Sequence, residues 1–185
     1  RRIALIPGQR PGHCQPYRAG PPARAVESAE IERMLKAEVI EPATSEWASP
    51  IVLVAKPDGS TRFCVDYRRL NAITVRDSYP LPRMDECIDS LGDAKIFTTL
   101  DCNSGYWQIP VRPEDREKTT FTSHEGLYWF LRMPFGLRNA PATFQRFVDI
   151  TLSGLTWKTC LVYLDDIIVF SKTPAEHMAH LDAVL

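Results

Sequence analysis

Two adjacent aspartates, Asp165 and Asp166, are the residues of this sequence best suited to chemistry. They separate two runs of aliphatic, β-branched and aromatic residues within 160–170, a pattern that predicts a β-hairpin with both carboxylates at or beside its turn. Neighbouring carboxylates repel each other unless a cation lies between them. Because rigidly held carboxylate oxygens suit Mg²⁺, the pair predicts a metal-dependent phosphoryl-transfer site. The alternative is a simple polar turn, since aspartate is common in turns.

A third aspartate, Asp101, follows directly on a predicted strand from Lys95 to Leu100. A helix is predicted over 141–153, because apolar residues recur there at helical spacing. Its predicted buried face comprises Phe144, Phe147, Val148, Thr151 and Leu152. A strand, a helix and a hairpin in this order are compatible with an α+β fold in which helices cover one face of an antiparallel sheet. Such a fold would bring the three aspartates together.

The N-terminal part of the chain predicts an arm, a helix and a hairpin. Residues 1–22 are rich in proline and glycine, which indicates an extended arm or linker. An amphipathic helix is predicted from Ala23 to Ile40. Strands at Pro50–Lys56 and Thr61–Asp66 are joined by the strong turn signal of 57–60, so they predict a hairpin whose turn is flanked by Lys56 and Arg62.

The alternation of side chains over Tyr106–Val111 predicts a further strand, and a last helix is predicted to begin near Thr173. On that helix, His177 and His180 lie three residues apart, and we expect surface positions for them rather than a zinc site. The five cysteines show neither disulfide nor metal-ligand spacing, so reduced and mostly buried thiols are expected.

The bulk composition leaves the binding partner open. The formal net charge is -1, which does not indicate nucleic-acid binding but does not exclude it, because an acidic metal site can offset a basic groove. No apolar run approaches the ~20 residues of a membrane span, and no signal peptide is apparent. We therefore expect an intracellular protein with no membrane partner. The absent initiator Met and an end inside a predicted helix suggest a fragment of a longer protein.

Five motifs in a fixed order resemble the reverse transcriptases of gypsy-class LTR retrotransposons. They are Phe97-Thr98-Thr99-Leu100-Asp101, Ser104-Gly105-Tyr106-Trp107-Gln108-Ile109, Met133-Pro134-Phe135-Gly136-Leu137, Asn139-Ala140-Pro141-Ala142-Thr143-Phe144-Gln145 and Tyr163-Leu164-Asp165-Asp166. The resemblance runs from about Ala23 to Leu185, and the segments 39–42 and 63–71 resemble the family's fingers region. Any one motif alone would be weak evidence for the family, but five motifs in this order rarely arise by chance.

The resemblance implies a right-hand polymerase fold, represented here by fingers and palm. Fingers would comprise 23–76 and 109–140, and palm would comprise 77–108 and 141–185, with an antiparallel palm sheet packed on helices. Thumb, connection and ribonuclease H segments would lie beyond Leu185. In the polyprotein a protease usually precedes and an integrase follows.

The activity implied by the resemblance is RNA-directed DNA polymerisation, in which a dNTP is joined to a primer 3′-hydroxyl on an RNA or DNA template. Two Mg²⁺ ions, with Mn²⁺ as a substitute, would be bound by the catalytic residues Asp101, Asp165 and Asp166 and by the backbone carbonyl of Cys102. Two metal ions placed in this way lower the pKa of the attacking hydroxyl and stabilise the charge on the phosphates.

The resemblance also assigns the nucleotide and template contacts. Lys56 and Arg62 would hold the triphosphate, while Tyr106 would stack under the sugar and exclude a 2′-hydroxyl. Phe135 stands where retroviral enzymes usually carry glutamine, and gypsy elements carry phenylalanine there. Template or primer contacts would come from Arg138, Gln145 and Tyr163. The alternatives are a solvated hairpin for Lys56 and Arg62, a core position for Tyr106 and a surface role for Arg138.

Two other functions compete with this interpretation. A truncated or decayed copy would act only as a weak nucleic-acid-binding domain, although its preserved aspartates argue for retained chemistry. A cellular RNA-templated RNA polymerase is disfavoured if Tyr106 excludes ribose. For the leading interpretation we expect a cytoplasmic location in a virus-like particle, with the nucleus as a second compartment.

Overall fold

The computed structural model describes residues 2–57, 59, 61–102, 104–163 and 166–185. Contacts between residues divide the chain into two compact units, each assembled from two segments. The first unit comprises Arg1–Arg76 and Tyr106–Ala140, and the second comprises Asp77–Gly105 and Pro141–Leu185. In the described residues, no helix is both long and apolar enough to span a membrane.

The first unit is built on a mixed sheet flanked by helices. Its helices are α1 (Pro21–Lys36), α2 (Arg68–Ile73) and α4 (Pro113–Arg116), and its strands are β1 (Ile40–Pro42), β2 (Ser49–Ala55), β3 (Thr61–Val65), β5 (Phe121–Thr122) and β6 (Leu127–Phe130). Among the described residues the sheet order is β1-β6-β5-β2-β3. Only the β2 and β5 pairing is parallel within that set.

The predicted hairpin of the first unit is confirmed. Strands β2 and β3 pair antiparallel, with Ile51 opposite Val65 and Val54 opposite Arg62. The turn between them is closed by a hydrogen bond from the Gly59 amide to the Lys56 carbonyl, 3.0 Å long. Gly59 has a φ of 81°, a conformation that glycine adopts without the steric cost of a Cβ.

Aromatic side chains fill the core of the first unit. Phe121 is fully buried, and its ring packs against those of Phe63, Tyr128 and Phe130 at centroid distances of 5.3–5.8 Å. Tyr67 is also buried, and its hydroxyl donates a 2.8 Å hydrogen bond to the Thr119 carbonyl. Burial raises the pKa of Tyr67 well above its usual value. This core anchors the segment that follows β3.

The N-terminal arm packs on the first unit instead of projecting from it. Ile3 is 5% exposed, and its amide donates a 2.9 Å hydrogen bond to the Asp115 carboxylate. The Lys118 ammonium pairs with the same carboxylate and donates to the Ile3 carbonyl at 3.1 Å. Helix α1 begins at Pro21, because proline suits the first turn of a helix. It ends at Lys36, so the predicted continuation to Ile40 is wrong.

The strand predicted over Tyr106–Val111 is wrong in its first half, while its second half makes one antiparallel bridge, from Pro110 to Arg132. Gly105–Gln108 forms one turn of 3-10 helix, and the Ile109 amide donates to the Tyr106 carbonyl at 3.1 Å. Tyr106 and Ile109 are both buried. An i, i+3 spacing of buried residues suits a 3-10 turn, and this spacing is hidden within the alternating pattern that predicted a strand.

The second unit is an antiparallel sheet with helices packed against it, as predicted. Its helices are α3 (Met84–Leu91), α5 (Ala140–Thr151, whose first residue belongs to the first unit) and α6 (Pro174–Val184), and its strands are β4 (Ile96–Asp101), β7 (Cys160–Tyr163) and β8 (Asp166–Ser171). The described strands are ordered β4-β8-β7. Cys87 and Leu91 of α3 pack on Leu161 and Phe170 of the sheet.

Two predictions about burial in the second unit need correction. Phe147 was expected in the core, but it is 40% exposed, and fully buried Gln145 takes a place on the inner face of α5. His177 was expected at the surface, but it is 7% exposed. Its Nε2 lies 2.8 Å from Thr98 Oγ1 and its Nδ1 lies 3.1 Å from Ser171 Oγ. These two hydroxyl partners on β4 and β8 compensate the burial of the ring.

All five cysteines are free thiols, as expected. Cys87 and Cys160 are buried, and the other three are partly buried. Burial raises the pKa of the Cys87 and Cys160 thiols, so both favour the protonated, unreactive form.

Candidate active site

Two of the three predicted catalytic aspartates lie opposite each other in the second unit. Asp101, the last residue of β4, pairs in register with Asp166, the first residue of β8. Directly paired residues of antiparallel strands share one face of the sheet, with Cβ atoms about 4.5–5.5 Å apart. Both side chains are exposed. The register therefore presents two carboxylates side by side to solvent.

The third predicted catalytic residue, Asp165, lies outside the described residues. Strand β7 ends at Tyr163, which pairs in register with Asp166, so Leu164 and Asp165 stand between the two strands in the sequence. The predicted hairpin is confirmed on both sides of this gap. Tyr163, predicted to contact template or primer, is partly buried at the end of β7.

The segment after Asp101 turns tightly against α5. The Cys102 carbonyl, predicted as a further metal ligand, accepts a 3.1 Å hydrogen bond from the Gly105 amide. A carbonyl oxygen has a second lone pair, so this bond leaves one for another partner. A Cβ on Gly105 would come within 2.8 Å of the buried Phe144 ring. Only glycine allows this turn and this helix to approach so closely.

The described residues contain no group of three or more His, Cys, Asp or Glu side chains arranged to hold a metal ion. The donor set of Asp101 and Asp166 still fits a hard divalent cation, because such ions prefer carboxylate oxygens. Like charges directly opposite each other in a sheet are destabilising. A cation between the two carboxylates would remove that repulsion.

The predicted triphosphate ligands lie on the hairpin of the first unit. Arg62 is exposed on β3, opposite Val54, and Lys56 is exposed just after β2. At the base of β3 the Arg68 guanidinium binds Asp66 through bonds of 2.6–3.1 Å. Arg68 thereby holds the pKa of Asp66 at about 2. Asp66 therefore stays ionised and bound to Arg68 at neutral pH, while Arg62 and Lys56 stand further along the hairpin.

Tyr106 and Phe135, both predicted at the nucleotide site, come together in the first unit. Their ring centroids lie 4.9 Å apart at an interplanar angle of 37°. Tyr106 is 7% exposed, whereas Phe135 is 50% exposed. Gly136 follows with a φ of 88°, and its carbonyl accepts a 2.8 Å hydrogen bond from the Asn71 side chain. The turn that presents Phe135 is thus anchored to α2.

Two predicted template contacts have intramolecular partners in this structure. Arg138 donates to the carbonyls of Asn71 and Thr74 at 3.2 and 3.4 Å. Gln145 is fully buried, and its amide donates to Asp149 at 3.1 Å and to the Val162 carbonyl at 3.4 Å. Each side chain therefore joins two segments of its own unit. A template contact by either residue stays a prediction.

Sequence reasoning missed a group of residues next to Phe135. The Trp107 ring meets the Phe135 ring edge-on at a centroid distance of 6.4 Å, and the Arg33 guanidinium lies 4.9 Å from the Trp107 centroid. The sequence pointed to Trp107 in part, because this residue belongs to the motif around Tyr106. The contribution of α1 could not be found, since Arg33 is distant in sequence.

Comparisons with known proteins identify the family of this chain. The family model described as reverse transcriptase (RNA-dependent DNA polymerase) matches residues 54–185. The retrovirus-related Pol polyprotein from transposon gypsy of Drosophila melanogaster is 43% identical over 162 residues, which are 84% of this chain and 16% of that polyprotein. The chain thus spans about a sixth of this relative's length.

Solved structures of foamy viral protease-reverse transcriptase match nearly the whole chain. The complex with ds DNA matches with a TM-score of 0.87 and 28% identity, covering 98% of this chain and 31% of that chain. The complex with RNA/DNA hybrid matches with a TM-score of 0.80 and 26% identity, covering 98% and 24%.

The α+β fold is the right-hand polymerase fold of the foamy viral reverse transcriptase structures. Within that class, the chain belongs to the reverse transcriptase family. The match to the gypsy polyprotein confirms the resemblance to gypsy-class retrotransposons that the motifs indicated.

Proposed function

We propose that this chain carries the nucleotidyl-transfer centre of an RNA-directed DNA polymerase within a retrotransposon polyprotein. The observation that carries the proposal is the register of β4 and β8, which sets Asp101 directly opposite Asp166. Two exposed carboxylates at paired strand ends form an arrangement that is unfavourable without a cation. It becomes favourable when divalent ions and the phosphates of a nucleotide occupy it.

In this proposal Asp101, Asp165 and Asp166 would hold two Mg²⁺ ions, with Mn²⁺ as a substitute and the Cys102 carbonyl as a further ligand. When bound, such ions supply positive charge that activates a primer 3′-hydroxyl and stabilises the phosphate charge. The carboxylates would hold and orient these charges. A carboxamide would keep the shape of the side chain and lose its charge.

The first unit would supply the nucleotide contacts. Lys56 and Arg62 would bind the triphosphate, because the exposed hairpin presents both cations and a guanidinium fork suits phosphate oxygens. Tyr106 and Phe135 would form the floor under the sugar, and a 2′-hydroxyl would collide with this pair. We infer that the first unit acts as fingers and the second as palm.

The proposed partners are an RNA or DNA template with its primer, dNTPs and the other domains of the polyprotein. Support comes from the foamy viral relatives, whose structures contain ds DNA or RNA/DNA hybrid, and from the gypsy relative, which is a Pol polyprotein. Thumb, ribonuclease H, integrase and protease segments are the expected neighbours. A virus-like particle in the cytoplasm is the proposed location, with the nucleus as a second compartment.

Primer extension on an RNA template with dNTPs and Mg²⁺ tests the proposal. The chain should be assayed alone and fused to the C-terminal remainder of the gypsy relative's polyprotein, which would add further contacts to the duplex. We expect extension in at least the fused form and its loss in Asp101→Asn, because the carboxamide cannot hold the cation. Asp182→Asn, a substitution of an exposed aspartate on α6, is the matched control and should extend normally.

Near-normal extension by Asp101→Asn would refute the assignment of the site. Absence of extension in both forms, with hybrid still bound, would instead favour the decayed copy that only binds nucleic acid.

A further inference from the structure

The ring stack of Tyr106 and Phe135 continues through Trp107 to Arg33 of α1. Phe135 lies between two aromatic neighbours, with Tyr106 at 4.9 Å and Trp107 at 6.4 Å between centroids. The Trp107 contact is edge-to-face, at an interplanar angle of 62°. Aromatic pairs in such geometries attract each other beyond the effect of the area that they bury. The orientation of Phe135 therefore depends on both neighbours.

Trp107 is in turn contacted by a cation that is itself held in place. The Arg33 guanidinium lies 4.9 Å from the centroid of the Trp107 ring, within the range of a cation–π interaction. Two hydrogen bonds join Arg33 to Glu30 at 2.6 and 3.0 Å. Glu30 raises the pKa of Arg33 further above its usual value. Both residues belong to α1, one turn apart, so the helix fixes the position of the guanidinium.

Because a cavity lies beside the stacked rings, the Arg33 guanidinium matters for their position. A cavity of about 90 Å³ adjoins the rings, and its lining includes Glu30, Met34, Phe63, Trp107, Phe130 and Phe135. Trp107 Nε1 is buried and has no hydrogen-bond partner among the described residues. The indole is thus not held by a hydrogen bond, and the cavity leaves Phe135 room to move. The guanidinium is the charged contact that holds the stack from the side of α1.

We propose that Glu30, Arg33 and Trp107 form a positioning device that holds Phe135 against Tyr106 and thereby sets the discrimination between dNTPs and rNTPs. The inference rests on the proposed function, because it assumes that Tyr106 and Phe135 lie under the sugar of the nucleotide. Arg33 touches neither substrate nor metal in this account. It acts through Trp107, which acts through Phe135.

Arg33→Met tests the device, because methionine keeps an unbranched apolar side chain and removes the guanidinium charge. The measurement is the ratio of kcat/KM for a dNTP to kcat/KM for the matching rNTP, in whichever form of the protein extends primers. Loss of the cation–π contact should lower this ratio about two- to fivefold. Arg33→Lys, which keeps a cation over the ring, should restore most of it.

The matched control is Lys36→Met on the same helix. Lys36 pairs with Glu32 at 2.8 Å, and both side chains are well exposed. Its removal takes away the same charge without touching the stack, so the ratio should not change. A merely structural role of Arg33 would lower the rates for both nucleotides together and leave the ratio intact.

A ratio unchanged in Arg33→Met would overturn the inference while the proposed function stood, provided that the parent extends primers. A parent that polymerises nothing would overturn the proposed function and the inference with it. ¹⁹F NMR of 5-fluorotryptophan gives a readout independent of activity, with the Trp107 signal assigned by its absence in Trp107→Phe. Arg33→Met should shift or broaden that signal, and an unchanged signal would also overturn the device.

Discussion

At the scale of single residues, the backbone requires particular residue types at particular positions of the site. Asp101 faces Asp166 because the strand register pairs them, and a slip of one residue would turn one carboxylate to the other face of the sheet. Gly105, four residues after Asp101, is required by the closeness of Phe144. The charges of Asp101 and Asp166 therefore serve the proposed chemistry, whereas the small size of Gly105 serves the packing against Phe144.

Gly105→Ala should destabilise the second unit. The new Cβ would lie 2.8 Å from the Phe144 ring, and that ring is buried and cannot easily yield. Overpacking of this kind costs about 1–3 kcal/mol, which urea unfolding of the parent and variant can measure. Gly12→Ala is the matched control, because a Cβ there meets nothing within 4 Å. Equal stability of the Gly105→Ala variant and the parent would show that the helix shifts to accept the methyl group.

At the scale of elements, packing fixes segments that their composition left undefined. The proline-rich arm is attached by Ile3, Asp115 and Lys118, where a buried carboxylate, an ammonium and two backbone groups satisfy one another. The Asp115 side chain is 3% exposed and that of Lys118 is 18% exposed. Leaving such a buried charge unpaired is costly.

Lys118→Met should loosen the arm and lower the stability of the protein. Removal of one partner of a buried ion pair costs about 3–5 kcal/mol, and we expect somewhat less because Lys118 is partly exposed. Hydrogen exchange should rise at the Ile3 amide, and the urea midpoint should fall. Lys172→Met removes a well-exposed pair with Asp93 and should change neither by much. An arm that stays protected in Lys118→Met would mean that the Ile3 side chain and the backbone hydrogen bonds between Ala4 and Val75 and between Ile6 and Ile73 suffice to hold it.

At the scale of the whole molecule, charge balance limits how the protein can hold nucleic acid. The chain has 22 Lys and Arg against 23 Asp and Glu, so its net charge does not draw a polyanion to it. Under the proposed function, binding would come from local groups such as the exposed Arg62 and Lys56, together with cations at the aspartates. Few phosphates would then be neutralised by the protein itself.

The affinity of the chain for an RNA/DNA hybrid should therefore depend only modestly on salt. A slope of log Kd against log [KCl] corresponding to about two or three released counterions is expected, because that slope scales with the number of phosphate contacts. Fluorescence anisotropy with a labelled hybrid at constant Mg²⁺ gives this slope. Arg62→Met should reduce the slope by the equivalent of about one phosphate contact. A steep slope in the parent would instead reveal a basic surface that the net charge does not show.

The sequence alone determined the family and the α+β class and predicted the acidic residues of the site, because these depend on local patterns. Strand-forming runs around Asp165 and Asp166, and a strand ending at Asp101, are readable from short windows of residues. The hairpin around Pro57-Asp58-Gly59-Ser60 was predictable for the same reason. Helix ends were less predictable, since α1 stops where the chain turns to form β1.

Only the tertiary structure decided which distant residues meet. The register of Asp101 with Asp166, the burial of His177 and Gln145, and the docking of Ile3 all depend on contacts between segments far apart in sequence. The turn at Gly105–Gln108 formed because burial of Tyr106 and Ile109 outweighed their strand-like pattern. The contact of Arg33 with Trp107 has the same origin, because local propensity carries no information about which helix a distant side chain will meet.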